Sequence, residues 1–360
     1  MNDSSTAKAC SLKVPKRLGE KALRLAGDLG LLNRDLKVRS DNGSLYLPLN
    51  QKPLPSHLSE FQRALPQFDL LVQEFSRRIR PARTAVEVAR DRLPEHLHAS
   101  FPRSIDFVGD IAVVEVPREL KEYRELVGEA ILGAHGHVKT VLAKSSAIGG
   151  VCRLREYEVI AGSQKTETVY IEHGCRYHLD LRKVYFSPRL SYEHKRVAQQ
   201  VKENETVIDM FAGVGPFSVL IAKTCTAVKV YAIDVNPDAA RYLERNVIAN
   251  GVLEKVVPIF GDAREIVRDR LHGVADRVIM NLPEKAIEYL DAACQALKPE
   301  GGVIHYYEFA EAPDPLRKAR ERIASALRGT NRKVETFLAA RTVREVAPFK
   351  WQIALDIGIS

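Results

Sequence analysis

The stretch VIDMFAGVGPFS, residues 207–218, combines a β-branched strand, a turn with two glycines and a helix that starts near Pro216. Glycines permit tight turns and a close approach of the backbone to a ligand, and proline suits the first turn of a helix. Further apolar, mostly non-alternating runs are VYAID, VVPIFGD, RVIMNL, GVIHYYEF and, after a charged helical segment, WQIALDIGI. Such runs are typical of strands buried on both faces. The sequence therefore predicts a doubly wound, Rossmann-like α/β domain over residues 184–360.

Two smaller α+β domains are predicted ahead of it. Residues 1–50 contain a strand-like run, a helix opened by Pro15, and a hairpin whose turn is Asp41-Asn42-Gly43. Residues 51–67 carry three prolines without a clear period and are interpreted as a linker. Residues 68–183 mix helical and strand-like segments and end in a hairpin around His173-Gly174.

Composition limits the classes of protein to consider. The chain has 360 residues and five widely spaced cysteines, and no run approaches the roughly 20 apolar residues of a membrane span. Neither a secretory signal, a disulfide framework nor a metal site is predicted, so a cytoplasmic protein without a membrane partner is expected. A formal charge of +8 suits a polyanionic partner, although many basic proteins bind no nucleic acid.

The glycine turn is predicted to bind an adenosine-containing ligand. Gly213 lies in the turn, and the next strand ends in Asp234, where a carboxylate can accept hydrogen bonds from ribose hydroxyls. A dinucleotide site would require a third glycine, but Ser218 occupies that position, and Asp209 would repel a pyrophosphate. A cationic sulfonium ligand tolerates this acid better. With Asp262 available to the adenine amino group, the pattern favours S-adenosylmethionine over NAD.

The fourth strand ends in Asn281-Leu282-Pro283-Glu284. In open α/β sheets, the carboxyl ends of the strands form the ligand crevice, so Asn281 and Pro283 are expected to face the reacting atoms. An ordinary turn at the end of a strand is the alternative interpretation. Related enzymes that methylate adenine amines usually carry an aromatic residue after the proline, and Glu284 cannot stack on a base in that way.

The chain resembles the archaeal and eukaryotic tRNA (guanine-37-N1)-methyltransferase family, in its archaeal type with an extra small N-terminal domain. The stretches that carry the resemblance are DMFAGVGPFS, YAIDVNP, RVIMNLP, GGVIHYY, VYFSPRLSYE, RLRE, LGLLNRDLKV and LYLPL. Together they extend over nearly the whole chain. The resemblance implies a class I methyltransferase domain, S-adenosylmethionine as the methyl donor, and N1 of guanosine 37 in tRNA as the acceptor. It also implies that residues 1–50 recognise tRNA, that residues 68–183 form an RNA-binding domain, and that a monomer acts without a protein partner.

The resemblance also implies roles for individual residues. It assigns Glu193 as the general base for the N1 proton, Arg153 as the donor to O6, and Asn281 as the residue that holds guanine and cofactor. A carboxylate can deprotonate so weak an acid only where burial raises its pKa and a guanidinium stabilises the product anion. The implied cofactor contacts are Asp234 and Val235 at the ribose, Asp262 and Ala263 at the adenine, Phe211 at the glycine turn, and His194, where compared relatives carry arginine.

Each assignment has an alternative. Glu193 lies near the start of a predicted helix, where the helix dipole alone favours an acid, and Arg153 would also suit a surface strand or a phosphate contact. The competing activity is transfer of the aminocarboxypropyl group of the same cofactor in the wyosine pathway, which would require no base at Glu193. A non-catalytic RNA-binding protein is the third hypothesis.

Overall fold

A computed structural model describes residues 6–77, 84–150, 152–328 and 331–360. The chain divides into two compact units, Met1–Arg83 and Thr84–Ser360. Among the helices of the described ranges, none combines the length and the apolar character that crossing a bilayer requires.

The first unit is an antiparallel sheet with two helices. Its described elements are β1 (Thr6–Pro15), α1 (Gly19–Asp28), β2 (Arg39–Ser40), β3 (Ser44–Pro48), α2 (Pro55–Ala64) and β4 (Asp69–Ser76), with sheet order β2-β3-β1-β4. The predicted hairpin is confirmed, because β2 pairs with β3 and the Asp41 carboxylate accepts hydrogen bonds from the amides of Gly43 and Ser44. The Tyr46 hydroxyl also donates to Asp41 over 2.6 Å, which stabilises the turn.

The predicted linker over residues 51–67 is wrong. Helix α2 begins at Pro55, and its Phe61 is fully buried in the core of the first unit. A proline at the first helical position promotes a helix, because its missing N–H would be unsatisfied there anyway. The predicted domain boundary at residue 68 is also displaced toward the C-terminus. Strand β4 follows this residue but pairs with β1 along its whole length and so belongs to the first unit.

The second unit begins with a four-stranded sheet and a hairpin. These elements are α3 (Ala85–Ala89), β5 (Ile105–Val108), β6 (Ile111–Val114), α4 (Arg124–Ala134), β7 (Thr140–Lys144), β8 (Tyr157–Gly162), β9 (Glu167–Glu172) and β10 (Cys175–Asp180). The sheet has the order β5-β6-β7-β8, and α4 packs against its strands β7 and β8. The hairpin β9–β10 turns at His173 and Gly174, both with positive φ, as the sequence predicts.

The doubly wound domain is confirmed. Its elements are α5 (Ser191–Ala198), β11 (Glu205–Asp209), α6 (Pro216–Thr224), β12 (Val228–Asp234), α7 (Pro237–Ala249), β13 (Val256–Phe260), α8 (Ala263–Arg270), β14 (Arg277–Met280), α9 (Leu290–Ala296), β15 (Gly302–Glu311), α10 (Pro315–Ala326), β16 (Val334–Ala347) and β17 (Lys350–Ile359). The described strands form a sheet of order β13-β12-β11-β14-β15-β17-β16. Strands β11 to β15 run parallel, and β17 is antiparallel to both neighbours. The sequence predicts only a charged helical segment ahead of β17, so strand β16 is a finding that the sequence analysis does not predict.

The hairpin β9–β10 is joined to the large sheet domain by buried polar contacts. Asn246 of α7 is fully buried; it accepts a hydrogen bond from the amide of His178 and donates to the carbonyls of His178 and Val214. Tyr177 of β10 lies in the same apolar core as Leu243 of α7. The predicted boundary at 183/184 therefore does not interrupt the packing of the second unit.

Replacing Asn246 by alanine should lower the free energy of unfolding by roughly 2–4 kcal/mol, because three backbone groups would lose the fully buried side chain that they bind. Denaturant unfolding of the wild type and the variant measures this difference. The control is Glu244→Ala, an exposed residue of the same helix. Equal losses for the two variants would contradict the anchoring role of Asn246.

Candidate active site

A pocket opens at the carboxyl ends of the parallel strands of the large sheet. Phe211 follows β11, Asp234 ends β12, Asp262 follows β13 and Asn281 follows β14, and all four line the pocket. The predicted site residues in its lining are Arg153, His194, Phe211, Gly213, Asp234, Val235, Asp262, Ala263 and Asn281. Two predicted residues of the described chain, Glu193 and Pro283, do not line it.

The glycine turn borders the pocket at Gly213. Gly213 has a φ of 56° and Gly215 a φ of 91°, both in the left-handed region. A Cβ on Gly215 would lie 2.5 Å from Leu243 Cδ1, so this position requires glycine. Helix α6 then begins at Pro216. The turn thus lets the chain reverse beside the pocket without a side chain in the way.

The two acids at the strand ends are held by backbone amides. Asp234 accepts from the amides of Gly213 over 2.7 Å and Asn236 over 2.9 Å. Burial nonetheless raises the pKa of Asp234 above its ordinary value. Asp262 caps α8 by accepting from the amide of Arg264 over 2.8 Å. A carboxylate offers about four acceptor sites, so both acids keep capacity for ligand hydroxyl or amino groups.

Asp209 lies directly beneath the turn and is fully buried. Its Oδ2 accepts from the Ser218 hydroxyl over 2.8 Å, whereas Oδ1 has no hydrogen-bond partner among the described residues. Burial, reinforced by the nearby charge of Asp234, raises the pKa of Asp209 to about 7. Asp209 does not line the pocket, so it can act on a ligand there only through its charge.

Aromatic side chains form one wall of the pocket. The rings of Phe211 and Tyr289 meet edge to face with centroids 5.0 Å apart, and the Arg264 guanidinium lies 3.9 Å from the Tyr289 centroid. An apolar wall of this kind suits the face of a purine. Sequence analysis did not identify Tyr289, which lies in a short helical turn, Ala286–Tyr289, far along the chain.

A tight loop presents Arg153 to the same pocket. Gly149 and Leu154 form an isolated bridge, and Arg153 adopts a positive φ of 53° between them. Its guanidinium stacks 4.5 Å from the centroid of Tyr185 and lies 3.6 Å from Glu284 Oε1. Only 8% of the residue is exposed, and Nε has no hydrogen-bond partner in the described chain. Arg153 is thus held beside the pocket with a donor still free.

The antiparallel strands β16 and β17 support the other side of the pocket. Gln352 donates to Asn281 Oδ1 over 3.4 Å and accepts from Arg344 Nε over 2.9 Å. Arg344 also donates to the hydroxyls of Ser187 and Tyr185. These residues connect the strand-end asparagine to the segment that carries Tyr185. Tyr185 and Ser187 fall in the VYFSPRL stretch, which was the only sequence signal for them.

His194 belongs to a buried pair. Its Nδ1 lies 2.6 Å from Glu172 Oε1, and its ring packs edge to face on Phe217 with centroids 4.6 Å apart. The carboxylate of Glu172 therefore orients an imidazole that borders the pocket. The pair joins the hairpin β9–β10 to helix α5.

Glu193 lies in the first turn of α5, where the helix dipole favours an acid. Because the residue is only 1% exposed, the dipole alone does not explain why a carboxylate is buried there. Its Oε2 accepts from Arg196 Nε over 2.9 Å and from the Tyr307 hydroxyl over 3.0 Å. Its Oε1 has no hydrogen bond, although Arg341 Nε lies 3.4 Å away. Glu193 adjoins the pocket through its neighbour His194 but does not reach its surface.

Arg196 continues into a buried polar network. It forms a two-point pair with Asp356, which also accepts from His305 Nδ1 over 2.7 Å. His305 Nε2 faces Arg277 over 2.9 Å and must accept there, so its proton lies on Nδ1. Burial lowers the pKa of His305, whereas hydrogen bonds from His305 and Arg196 outweigh burial and lower the pKa of Asp356. Sequence analysis identified none of these four residues.

Three family models match parts of the chain. The family model for the TRM5/TYW2 methyltransferase domain matches residues 168–335. The TYW2 N-terminal domain matches residues 86–166, and the tRNA methyltransferase 5 N-terminal domain matches residues 11–56. The three matched ranges lie in succession along the chain.

Named relatives match over most of the chain. It is 41% identical over 350 residues to tRNA (guanine(37)-N(1))-methyltransferase Trm5b of Pyrococcus abyssi, covering 97% of this chain and 99% of the relative. A structure of aTrm5 in complex with tRNALeu is similar with a TM-score of 0.78 and 34% identity, covering 97% and 99% of the two chains. Methanocaldococcus jannaschii TYW2 in complex with AdoMet is similar with a TM-score of 0.56 and 29% identity, covering 71% and 99%.

Asp209 should make the stability of the ligand-free protein depend on pH. A buried acid with a raised pKa destabilises the fold once the unfolded state ionises, so stability falls as pH rises from about 4 to about 7. Asp209→Asn should lack this loss, which amounts to at most about 4 kcal/mol. Denaturant unfolding at pH 4, 6 and 8 measures it, with the exposed Asp91→Asn as control. If the free energy of unfolding depends on pH in the same way in Asp209→Asn and in the wild type, the raised pKa of Asp209 is contradicted.

Proposed function

The chain belongs to the TRM5/TYW2 methyltransferase family, and on that basis we propose that it transfers a methyl group from S-adenosylmethionine to N1 of guanosine 37 in tRNA. The observation that carries the proposal is the meeting of Arg153 and Asn281 with the strand-end acids Asp234 and Asp262 in one pocket. The name of the Pyrococcus abyssi relative and the tRNA complex of aTrm5 support tRNA as the substrate.

The pocket fits S-adenosylmethionine. Asp234 would accept hydrogen bonds from the ribose hydroxyls beside the exposed Val235, and Asp262 and Ala263 would contact the adenine, since all four residues line the pocket. Asp209 does not line the pocket, but its carboxylate just before the turn would favour a cationic ligand over a pyrophosphate. When bound, the cofactor supplies an electrophilic methyl carbon on a sulfonium. The complex of a related TYW2 protein with AdoMet supports the same ligand.

The remaining residues would act on guanine. Arg153 keeps a free donor for O6, where negative charge develops when N1 loses its proton, and Tyr185 holds its guanidinium plane. Asn281, supported by Gln352, would bind the base edge. Glu193 would accept the N1 proton, and the electron pair left on N1 would form the bond to the methyl carbon as the carbon–sulfur bond of the cofactor breaks with its electron pair left on sulfur. Since Glu193 does not line the pocket, a neighbour must move before it can act.

The net charge and the first unit of the protein also suit a tRNA substrate. Its net charge of +8 favours contact with phosphates, and we assign tRNA recognition to the first unit, where the tRNA methyltransferase 5 N-terminal domain matches. A monomeric enzyme in the cytoplasm that requires no protein partner remains our prediction. The oligomeric state can be measured by sedimentation with and without tRNA.

Glu193→Gln should reduce the rate of methyl transfer about 10²- to 10⁴-fold, because the variant cannot accept a proton. The assay is mass spectrometry of nucleosides from an unmodified tRNA transcript incubated with the protein and labelled cofactor under single-turnover conditions. The wild type should give 1-methylguanosine.

Two results would contradict this assignment in different ways. An aminocarboxypropyl adduct from the wild type would identify the alternative transferase. An unchanged methylation rate in Glu193→Gln would remove this residue from the base role. Glu244→Gln, an exposed substitution of the same chemistry, serves as the control.

Asp234→Ala should raise the dissociation constant for S-adenosylmethionine roughly 10- to 100-fold, since hydrogen bonds to a charged acceptor are lost. Calorimetry of the protein without tRNA measures it. Asp238→Ala removes a nearby acid that does not line the pocket and should bind normally. Equal affinity in the two variants would exclude Asp234 as a cofactor residue.

A further inference from the structure

The two oxygens of the Glu193 carboxylate have different surroundings. Oε2 accepts two hydrogen bonds, from Arg196 and Tyr307, and is thereby occupied. Oε1 is buried and accepts none, and Arg341 Nε, 3.4 Å away, is likewise buried without a hydrogen bond among the described residues. The oxygen that remains able to accept a proton is therefore Oε1, and Arg341 is the charged group beside it.

The three partners of Glu193 differ in their freedom to move. Arg196 is tied to Asp356 by two hydrogen bonds, and Tyr307 is fully buried in the core. The Arg341 side chain is 36% exposed and lies on β16, the edge strand of the sheet. The pairing of β16 with β17 contains four register shifts, which is typical of an irregular edge. Arg341 is thus the partner whose displacement disturbs the least structure.

Arg341 also belongs to a surface that a nucleotide could contact. Its guanidinium stacks 4.5 Å from the centroid of Tyr192, whose residue is 64% exposed. A guanidinium stacked in this way keeps its outer N–H groups for a phosphate, and an exposed tyrosine ring offers a face to a base. A group that approaches this surface would compete with Glu193 for Arg341.

We propose that Arg341 is a positioning residue that covers Oε1 of Glu193 in the free enzyme and moves from it to the substrate RNA on binding. Oε1 then accepts the N1 proton while Oε2 stays bound to Arg196 and Tyr307. The inference rests on the proposed function of Glu193 as the base. The charged and titratable groups that face Glu193 are Arg196 on its own helix, Tyr307 of β15 and Arg341 of β16, with Asp356 of β17 behind Arg196.

The test compares two pH profiles of single-turnover methylation. The slope of rate against protein concentration at low concentration reports the free enzyme, and the rate at saturating protein reports the complex with tRNA. In Arg341→Gln, the acidic limb of the first profile should move up by roughly 1 pH unit, since an opposite charge beside the base is lost. The acidic limb at saturation should stay in place, because Arg341 has already left Glu193 in the complex.

Matched variants separate this effect from a general loss of charge. Arg341→Lys keeps the charge and should restore the wild-type limb. Arg320→Gln removes another arginine stacked on an aromatic residue of β16, Phe337, without contact to Glu193, and should shift neither limb. Unchanged calorimetric affinity for S-adenosylmethionine in each variant confirms that the pocket is intact.

The outcomes are distinguishable. If both limbs move together in Arg341→Gln, Arg341 stays on Glu193 throughout and the proposal fails. If neither limb moves, or if Arg320→Gln has the same effect, Arg341 does not act on Glu193 specifically. Glu193→Gln must lose the acidic limb in the same assay. If Glu193→Gln keeps both the acidic limb and the rate, Glu193 is not the base. If Glu193→Gln loses the acidic limb but the limb of Arg341→Gln does not move, only the present inference fails.

Discussion

The two-point pairing of Arg196 with Asp356 joins helix α5 to the antiparallel strand β17. Removing either partner would leave a buried charge without compensation, which costs far more than an exposed ion pair contributes. Because Glu193 lies one helical turn before Arg196, this pair also determines where the Glu193 carboxylate points. The position of the proposed base therefore depends on the last strand of the chain, although the base itself precedes the first strand of the sheet.

The same strand supports the substrate side of the pocket. Gln352 of β17 reaches Asn281, and Arg344 of β16 extends this contact to Tyr185 and Ser187. The parallel strands of the sheet supply the acids that suit a nucleoside cofactor. The antiparallel pair β16–β17 orients the residues that are proposed to act on guanine. An insertion in the hairpin would therefore change substrate geometry before it changed cofactor binding.

Sequence patterns predicted what depends on local chemistry and on sheet topology. The parallel strands, the glycine turn and the acids at the strand ends follow from apolar runs and from the rule that carboxyl ends of strands share one edge. Strand β16 is not predicted from the sequence because its residues do not alternate regularly between buried and exposed. Its pairing with β17 shifts register four times, which interrupts that alternation. The prolines of residues 51–67 favour a linker, whereas the structure has the short helix α2 there, which buries Phe61. Contacts such as Arg196 with Asp356 join residues 160 positions apart, which no local pattern encodes.

A buried base has a physical advantage over an exposed one in this reaction. N1 of guanine is a weak acid, so a water-exposed carboxylate would be too weak a base, and a sulfonium open to water would be exposed to competing nucleophiles. Keeping Glu193 out of water until RNA arrives would avoid the first of these problems, but a buried carboxylate requires a compensating charge in the meantime. Arg196 and the Tyr307 hydroxyl satisfy one oxygen, and Arg341 lies beside the other. The free enzyme thus holds its proposed base in a neutralised environment, and the energy that exposes it must come from the contacts that the RNA makes elsewhere on the protein.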